Sequence, residues 1–247
     1  MTDSRLHTTD DKQQTPTTTI VLWDIDNTLL HTGGAGSLGM TRAFRDLYGI
    51  DDAFGRVEFS GRTDTAIFRD AALAHGIAAT PASLAGEMTR FADAYIPQLE
   101  RALAEVNGGR LMPGVGEILQ RLDTRADVVQ GLGTGNFRRG SALKLRHFAI
   151  DRFFPGCIGG FGEDSELRDE VIRVGIERLR NGSGGSPRVV IIGDTPHDIA
   201  AAKANGARSI GVATGRDSAA GLLACGADIA LDDLSDVERV IGLICGV

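Results

Sequence analysis

Three short stretches carry side chains suited to chemistry. They are Asp24-Ile25-Asp26-Asn27-Thr28, Gly133-Thr134-Gly135-Asn136 and Gly193-Asp194-Thr195-Pro196-His197-Asp198. Each follows an apolar run that reads as a strand. Brought together, Asp24, Asp26, Asp194 and Asp198 would repel one another unless a cation or a proton intervened. Oxygen donors without His or Cys favour a hard ion, and Mg²⁺ suits partial protein ligation with waters retained. Thr134 and its neighbouring amides offer an anion cradle, towards which the helix after Asn136 points its positive end. Carboxylates, a hard cation and an anion cradle together indicate phosphoryl chemistry.

Those stretches need elements to position them. Strands are expected at 19–23, 126–132, 188–192, 209–213 and 228–231, although a glycine and a glutamine weaken the second. Helical patterns lie near 115–122, 138–148, 168–180, 197–205, 217–224 and 235–244. Such alternation implies a parallel sheet covered on both faces. Ligands of open parallel sheets bind beyond the carboxyl ends of the strands, which is where the three stretches fall. Residues 36–107 break the rhythm, with helical windows at 38–47, 65–75 and 83–106 and no convincing strand. A helical insert after the first strand fits, dividing the chain into a core (18–35 and 108–247) and a cap (36–107). Gly33, Gly34, Gly36 and Gly39 form no phosphate loop with Lys-Ser or Lys-Thr and read as a hinge into the insert. Residues 1–17 read as a loose polar tail, and 181–187 (NGSGGSP) as a flexible loop.

Composition bounds the partners. The 247 residues hold 26 basic and 33 acidic side chains, for a net charge of −7. An acidic chain without a basic run is a poor binder of nucleic acid or of anionic membranes. No apolar run approaches the ~18 residues of a membrane span. The polar N-terminus lacks the apolar segment of a secretory signal. Cys157, Cys225 and Cys245 are widely spaced and form no CxxC pair. They suggest neither a disulfide framework nor a zinc site, and read as buried thiols in a reducing, cytoplasmic compartment.

The DxDNT segment, the strand-end Thr134 and the GDTPHD segment, in that order, resemble the haloacid dehalogenase superfamily over roughly residues 18–240. Gly61-Arg62-Thr63-Asp64 in the insert is similar to the cap of phosphoglycolate phosphatase-like members. The resemblance implies an α/β fold with a Rossmann-like parallel core and a helical cap after the first strand. It implies that Asp24 attacks phosphorus, forming an aspartyl-phosphate. Asp26 would protonate the leaving alkoxide and then activate water. Mg²⁺ would be held by Asp24, the Asp26 main-chain carbonyl and Asp194, with Asp198 supporting the metal waters or orienting the site. Thr134 would bind the transferring phosphoryl group, and Thr28, Gly135, Asn136 and Arg62 would contact phosphate or substrate.

Two positions depart from the family pattern. Asn27 stands where that motif usually has glycine, with little change expected. The family's cation before the last acidic motif is normally lysine; here Arg168 is the positional match, able to supply the charge through a planar fork. Lys144 is the rival, but on the helix after Thr134 it reads as a solvated surface lysine. Asp198 also reads as N3 of a capping box opened by Thr195. His197 is expected to be exposed, His31 to be a loop residue, and Arg62 and Asp64 either gate the substrate or make a local turn contact.

The resulting expectation is a Mg²⁺-dependent phosphatase for a small phosphorylated metabolite, monomeric or homodimeric, that binds neither nucleic acid nor membrane. A phosphomutase shares the same core residues. A dehalogenase needs no metal and would leave Asp26 and Asp194 without purpose. A phospho-acceptor signalling module leaves Asp26 and the insert unexplained, and an inactive binding protein need not keep the acids.

Overall fold

The computed structural model of the chain describes residues 18–77, 80–180 and 186–246. The expected tail therefore lies outside the described residues, as does most of the 181–187 loop. The first strand, β1 (Thr19–Trp23), is buried throughout and apolar after its opening threonine. Side chains alternate across a strand, so Val21 and Trp23 enter one core while Ile20 and Leu22 enter another.

After β1 the chain makes a two-residue strand, β2 (Leu30–His31), and enters the helices α1 (Ala35–Tyr48), α2 (Asp64–Ala74) and α3 (Pro81–Glu105). These helices close around their own aromatic core, in which Phe44, Phe68, Phe91 and Tyr95 are buried. Gly33 and Gly34 sit at the entrance with positive φ, a conformation that favours glycine. Gly36 and Gly39 instead lie within α1. A Cβ on Gly39 would come 3.0 Å from the Leu99 backbone, so this glycine serves close helix packing rather than hinging. The chain returns through β3 (Arg110–Leu111), antiparallel to β2.

The alternation then resumes with α4 (Val115–Asp123), β4 (Val128–Gly133), α5 (Arg138–His147), β5 (Gly159–Gly160) and α6 (Arg168–Arg180). It ends with β6 (Arg188–Gly193), α7 (Pro196–Ala204), β7 (Arg208–Val212), α8 (Ala219–Ala224), β8 (Ile229–Leu231) and α9 (Val237–Cys245). The six-stranded sheet has order β5-β4-β1-β6-β7-β8 and every pairing is parallel. Strand order reverses about β1, which is flanked by β4 and β6. That reversal opens the crevice in which such sheets bind ligands.

Among the described residues no helix is long and apolar enough to cross a membrane. All three cysteines are free; Cys225 is exposed and the other two are half-buried, so the expectation of three buried thiols fails.

Candidate active site

Sheet register assembles the site. Trp23 pairs with Leu132 on one side and Ile192 on the other, and the Asp24 N–H donates to the Ile192 carbonyl at 2.9 Å. Asp24, Gly133-Thr134 and Gly193-Asp194 thus reach the same edge of the sheet. Directly after Asp24 the chain turns sharply, with the N–H groups of Leu29 and Leu30 both donating to the Ile25 carbonyl. Asn27 takes φ = 60° in this turn. Asparagine is among the few non-glycine residues that enter the left-handed region readily, which explains why it can replace the usual glycine.

Asp24, Asp194 and Asp198 each present a carboxylate oxygen within 4.8 Å of the others, and all three are buried. Burial pushes the Asp24 carboxyl up to about 6, with Arg168 opposing the rise. Burial, reinforced by Asp24 and Asp198, pushes Asp194 up to about 9. Among the described residues Arg168 is the one cation in ion-pair contact with this cluster. Its Nη2 donates to Asp24 Oδ1 at 2.7 Å, Asp198 Oδ1 at 2.6 Å and the Gly133 carbonyl at 2.9 Å. Burial would lower the Arg168 pKa, but Asp198 and Asp24 more than offset this and raise it.

Asp198 is occupied on both sides. Its Oδ2 accepts from the Thr195 N–H at 3.1 Å and the Thr195 hydroxyl at 2.7 Å, completing the capping box of α7, while Oδ1 takes Arg168. Asp194 is unlike it. Among the described residues no ion pair reaches it, and Gly215 clears space beside it, where a Cβ would lie 2.0 Å from Asp194 Oδ2. Asp194 is therefore a hard oxygen donor in need of positive charge, and together with the adjacent Asp24 it fits a divalent cation. The Asp26 side chain stands apart from this trio and faces α5.

Lys144 overturns the surface-lysine expectation. Its side chain is 3% exposed, and its ammonium donates to both Asp26 oxygens, at 2.8 and 2.6 Å. On α5 the buried positions are Gly140, Ser141, Lys144 and Leu145, one face of the helix. Lys144 is thus on the core side, and that spacing is the sequence signal that reveals it.

Other expected residues are placed as follows. Thr134 is fully buried, and its hydroxyl accepts from Asn136 Nδ2 at 2.8 Å. Thr28 is fully buried with its hydroxyl unpaired, and is not part of the cavity wall. Gly135 meets the insert: a Cβ there would lie 2.3 Å from the Arg62 carbonyl. The Arg62 Nη2 donates to Asp70 of α2 at 2.6 Å. Asp64 reaches the core instead. Its N–H donates to the Gly135 carbonyl at 2.7 Å and its Oδ2 accepts from the Phe137 N–H at 2.8 Å. Its burial pushes the carboxyl up to about 7, against the opposing pull of Lys144 and the Phe137 N–H. No residue spacing announces this bond between insert and core. His197 is exposed as expected, and His31 borders the cavity while its Nδ1 accepts from the Gly33 N–H at 3.0 Å.

Between insert and sheet edge lies a cavity of about 460 Å³. Asp24, Asp26 and Asp194 form its floor, while Met40, Ile67 and Tyr95 of the insert face them. That volume suits a small molecule.

A doubly wound sheet with buried acids at its switch point and a helical insert above them defines a hydrolase of the haloacid dehalogenase type. The chain belongs to the haloacid dehalogenase-like hydrolase family, whose pattern it matches over residues 18–206. Solved structures repeat the fold at low identity. A hydrolase from Pseudomonas syringae aligns with TM-score 0.65 and 18% identity, over 92% of this chain and 99% of that one. A predicted phosphoglycolate phosphatase from Haemophilus somnus aligns with TM-score 0.63 and 19% identity over the same shares. A candidate β-phosphoglucomutase from Thermotoga maritima gives 0.58 and 20%, again over 92% and 99%. None of the curated proteins compared with the chain matches it significantly.

Proposed function

We propose that this chain is a Mg²⁺-dependent phosphatase that hydrolyses a small phosphomonoester through an aspartyl-phosphate on Asp24. The observation that carries the reading is the pairing of Asp24 with Arg168 at 2.7 Å on the floor of the cavity beneath the insert, with Asp26 beside it on the same floor. Arg168 holds the Asp24 carboxylate in one orientation and favours its ionised form. An Asp24 oxygen attacks phosphorus as the bond from phosphorus to the leaving oxygen breaks. Asp26 gives that oxygen its proton. A water then attacks the phosphoaspartate, Asp26 takes the proton from the water, and cleavage of the phosphorus–Asp24 bond restores the carboxylate.

Asp24 and Asp194, with the Asp26 carbonyl, would hold Mg²⁺, and Asp198 would act from behind through Arg168. The ion supplies positive charge that offsets repulsion between a phosphate dianion and the acids. Amides around Gly135 and Asn136 and the start of α5 would hold the phosphoryl oxygens. The insert shields the reacting groups from bulk water.

Phosphoglycolate is the nearest named substrate, supported by the Gly61–Asp64 segment and by the Haemophilus neighbour. A phosphomutase using the same first step is the second reading, supported by the Thermotoga neighbour. The enzyme is proposed to act in the cytoplasm as a monomer or homodimer. Phosphate release from a panel of phosphorylated metabolites, with Mg²⁺ and with EDTA, tests the proposal. Metal-dependent release lost in Asp24→Asn supports it. Release only with a bisphosphate primer favours the mutase, and release that survives in Asp24→Asn refutes the mechanism.

A further inference from the structure

Lys144 is a second buried cation in this site, and the reaction scheme above gives it no part. Burying an ammonium is costly unless every N–H finds an acceptor. Lys144 has three donors and three acceptors: Asp26 Oδ1 at 2.8 Å, Asp26 Oδ2 at 2.6 Å and Asn136 Oδ1 at 2.5 Å. The Asn136 Nδ2 in turn donates to Asp26 Oδ2 and to the Thr134 hydroxyl, each at 2.8 Å. The amide is therefore fixed in one orientation, with its oxygen towards the ammonium. Ammonium and amide together hold the Asp26 carboxylate from behind. The Asp26 side chain, 38% exposed, opens to the cavity.

An ammonium committed in this way is not free to grip a phosphate. The two cations divide the labour: Arg168 fixes Asp24, and Lys144 fixes Asp26. We propose that Lys144 is a positioning residue for proton transfer, holding Asp26 aimed at the leaving-group oxygen through the Lys144–Asn136–Asp26 network. The effect is one of orientation, since a catalytic group displaced by an ångström loses much of its effectiveness. The inference rests on the phosphatase reading and assigns within it a residue that acts through Asp26.

A leaving-group comparison tests it. p-Nitrophenyl phosphate expels its aryl oxygen with little help from an acid, whereas phosphoglycolate, or the best alkyl ester of the panel, needs a proton. First-turnover release of each leaving group is measured by rapid mixing with Mg²⁺ for wild type, Lys144→Met, Asp26→Asn and the double variant. General acid catalysis contributes about 10²–10⁴-fold, so Lys144→Met should slow the alkyl ester at least roughly 30-fold more than the aryl ester. KM should change by less than about 3-fold, because the loss falls on the proton-transfer step. Asp26→Asn should show the same selectivity. Adding Lys144→Met to it should cost less than about 3-fold more, because the two residues act as one unit.

Equal slowing of both esters overturns the proposal, as do no slowing and a double variant in which the two effects multiply. Should Lys144→Met fail to fold, Lys144→Gln keeps a donor in place and is expected to give the same selectivity in weaker form. A wild type that cleaves neither ester refutes the phosphatase reading and this inference with it, whereas a wild type that cleaves both isolates the test to Lys144.

Discussion

Asp64 makes the stability of this protein depend on pH in a way that one substitution should remove. It lies at the start of α2, is 6% exposed, and carries the bond from insert to core at the Phe137 N–H. Its carboxyl titrates near 3.8 when unfolded and is raised to about 7 in the folded protein, chiefly by burial. The folded state therefore holds a proton that the unfolded state has released between those values. Stability from this group is fully present below about 3.8 and is lost as pH rises through about 7. The interval corresponds to about 4 kcal/mol, an upper limit, since water entering at the insert–core junction would relieve part of it. Asp64→Asn keeps an acceptor for the Phe137 N–H and removes the ionisation. Urea unfolding of both proteins, with EDTA present, should show nearly equal stability near pH 3.5, with the difference widening as pH rises towards 7. At pH 8 the variant should be more stable by about 2–4 kcal/mol. A variant less stable than wild type at pH 8, or a difference that does not change with pH, would refute the reasoning.

Other perturbations have defined outcomes. Asn27→Gly should unfold within about 0.5 kcal/mol of wild type, whereas Asn27→Val should cost about 1–2 kcal/mol by chemical denaturation, because φ = 60° is closed to a branched residue. Gly135→Ala would place a methyl 2.3 Å from the Arg62 carbonyl, so it should displace the insert and lower kcat/KM by roughly 10–100-fold in the phosphatase assay. Arg168→Met leaves Asp24 and Asp198 without their shared cation and should lower stability by about 3–5 kcal/mol in metal-free buffer. Mg²⁺ should raise the Tm of wild type, corresponding to about 2.7 kcal/mol at a hundredfold excess over Kd, and should fail to do so for Asp194→Ala.

The sheet was legible because its strands are buried on both faces. Thr19–Trp23 is apolar at every position after its opening threonine, and the strand runs over the residues that its pattern marks. The doubtful strand at 126–132 is β4, and its odd residues have packing reasons. A Cβ on Gly131 would lie 2.4 Å from Leu179, and one on Gly133 2.5 Å from Ile172, so these glycines let α6 settle onto the sheet. Gln130 accepts from the Trp23 indole N–H at 3.2 Å. Two glycines alone make β5, which no hydrophobic pattern could announce. The paired β2 and β3 are two residues each, too short for any periodicity.

The acids of the site could be read because spacing and strand ends coincide. Lys144 could not be read from charge alone, since Arg138, Arg139, Arg146 and His147 crowd the same helix and disguise a buried face. Asp64 was hidden for a different reason: its partner is a backbone N–H 73 positions away, and such contacts leave no mark on side-chain spacing.

The most direct test of the central claim is to catch the phosphate on Asp24. Wild type mixed with substrate and Mg²⁺ is quenched during turnover, treated with borohydride to convert an acyl phosphate to homoserine, and mapped by mass spectrometry. The account predicts homoserine at position 24, dependent on substrate and metal, and none at Asp26, Asp194 or Asp198. Phosphate release during the same turnover, with position 24 unmodified or another aspartate converted in its place, would contradict it.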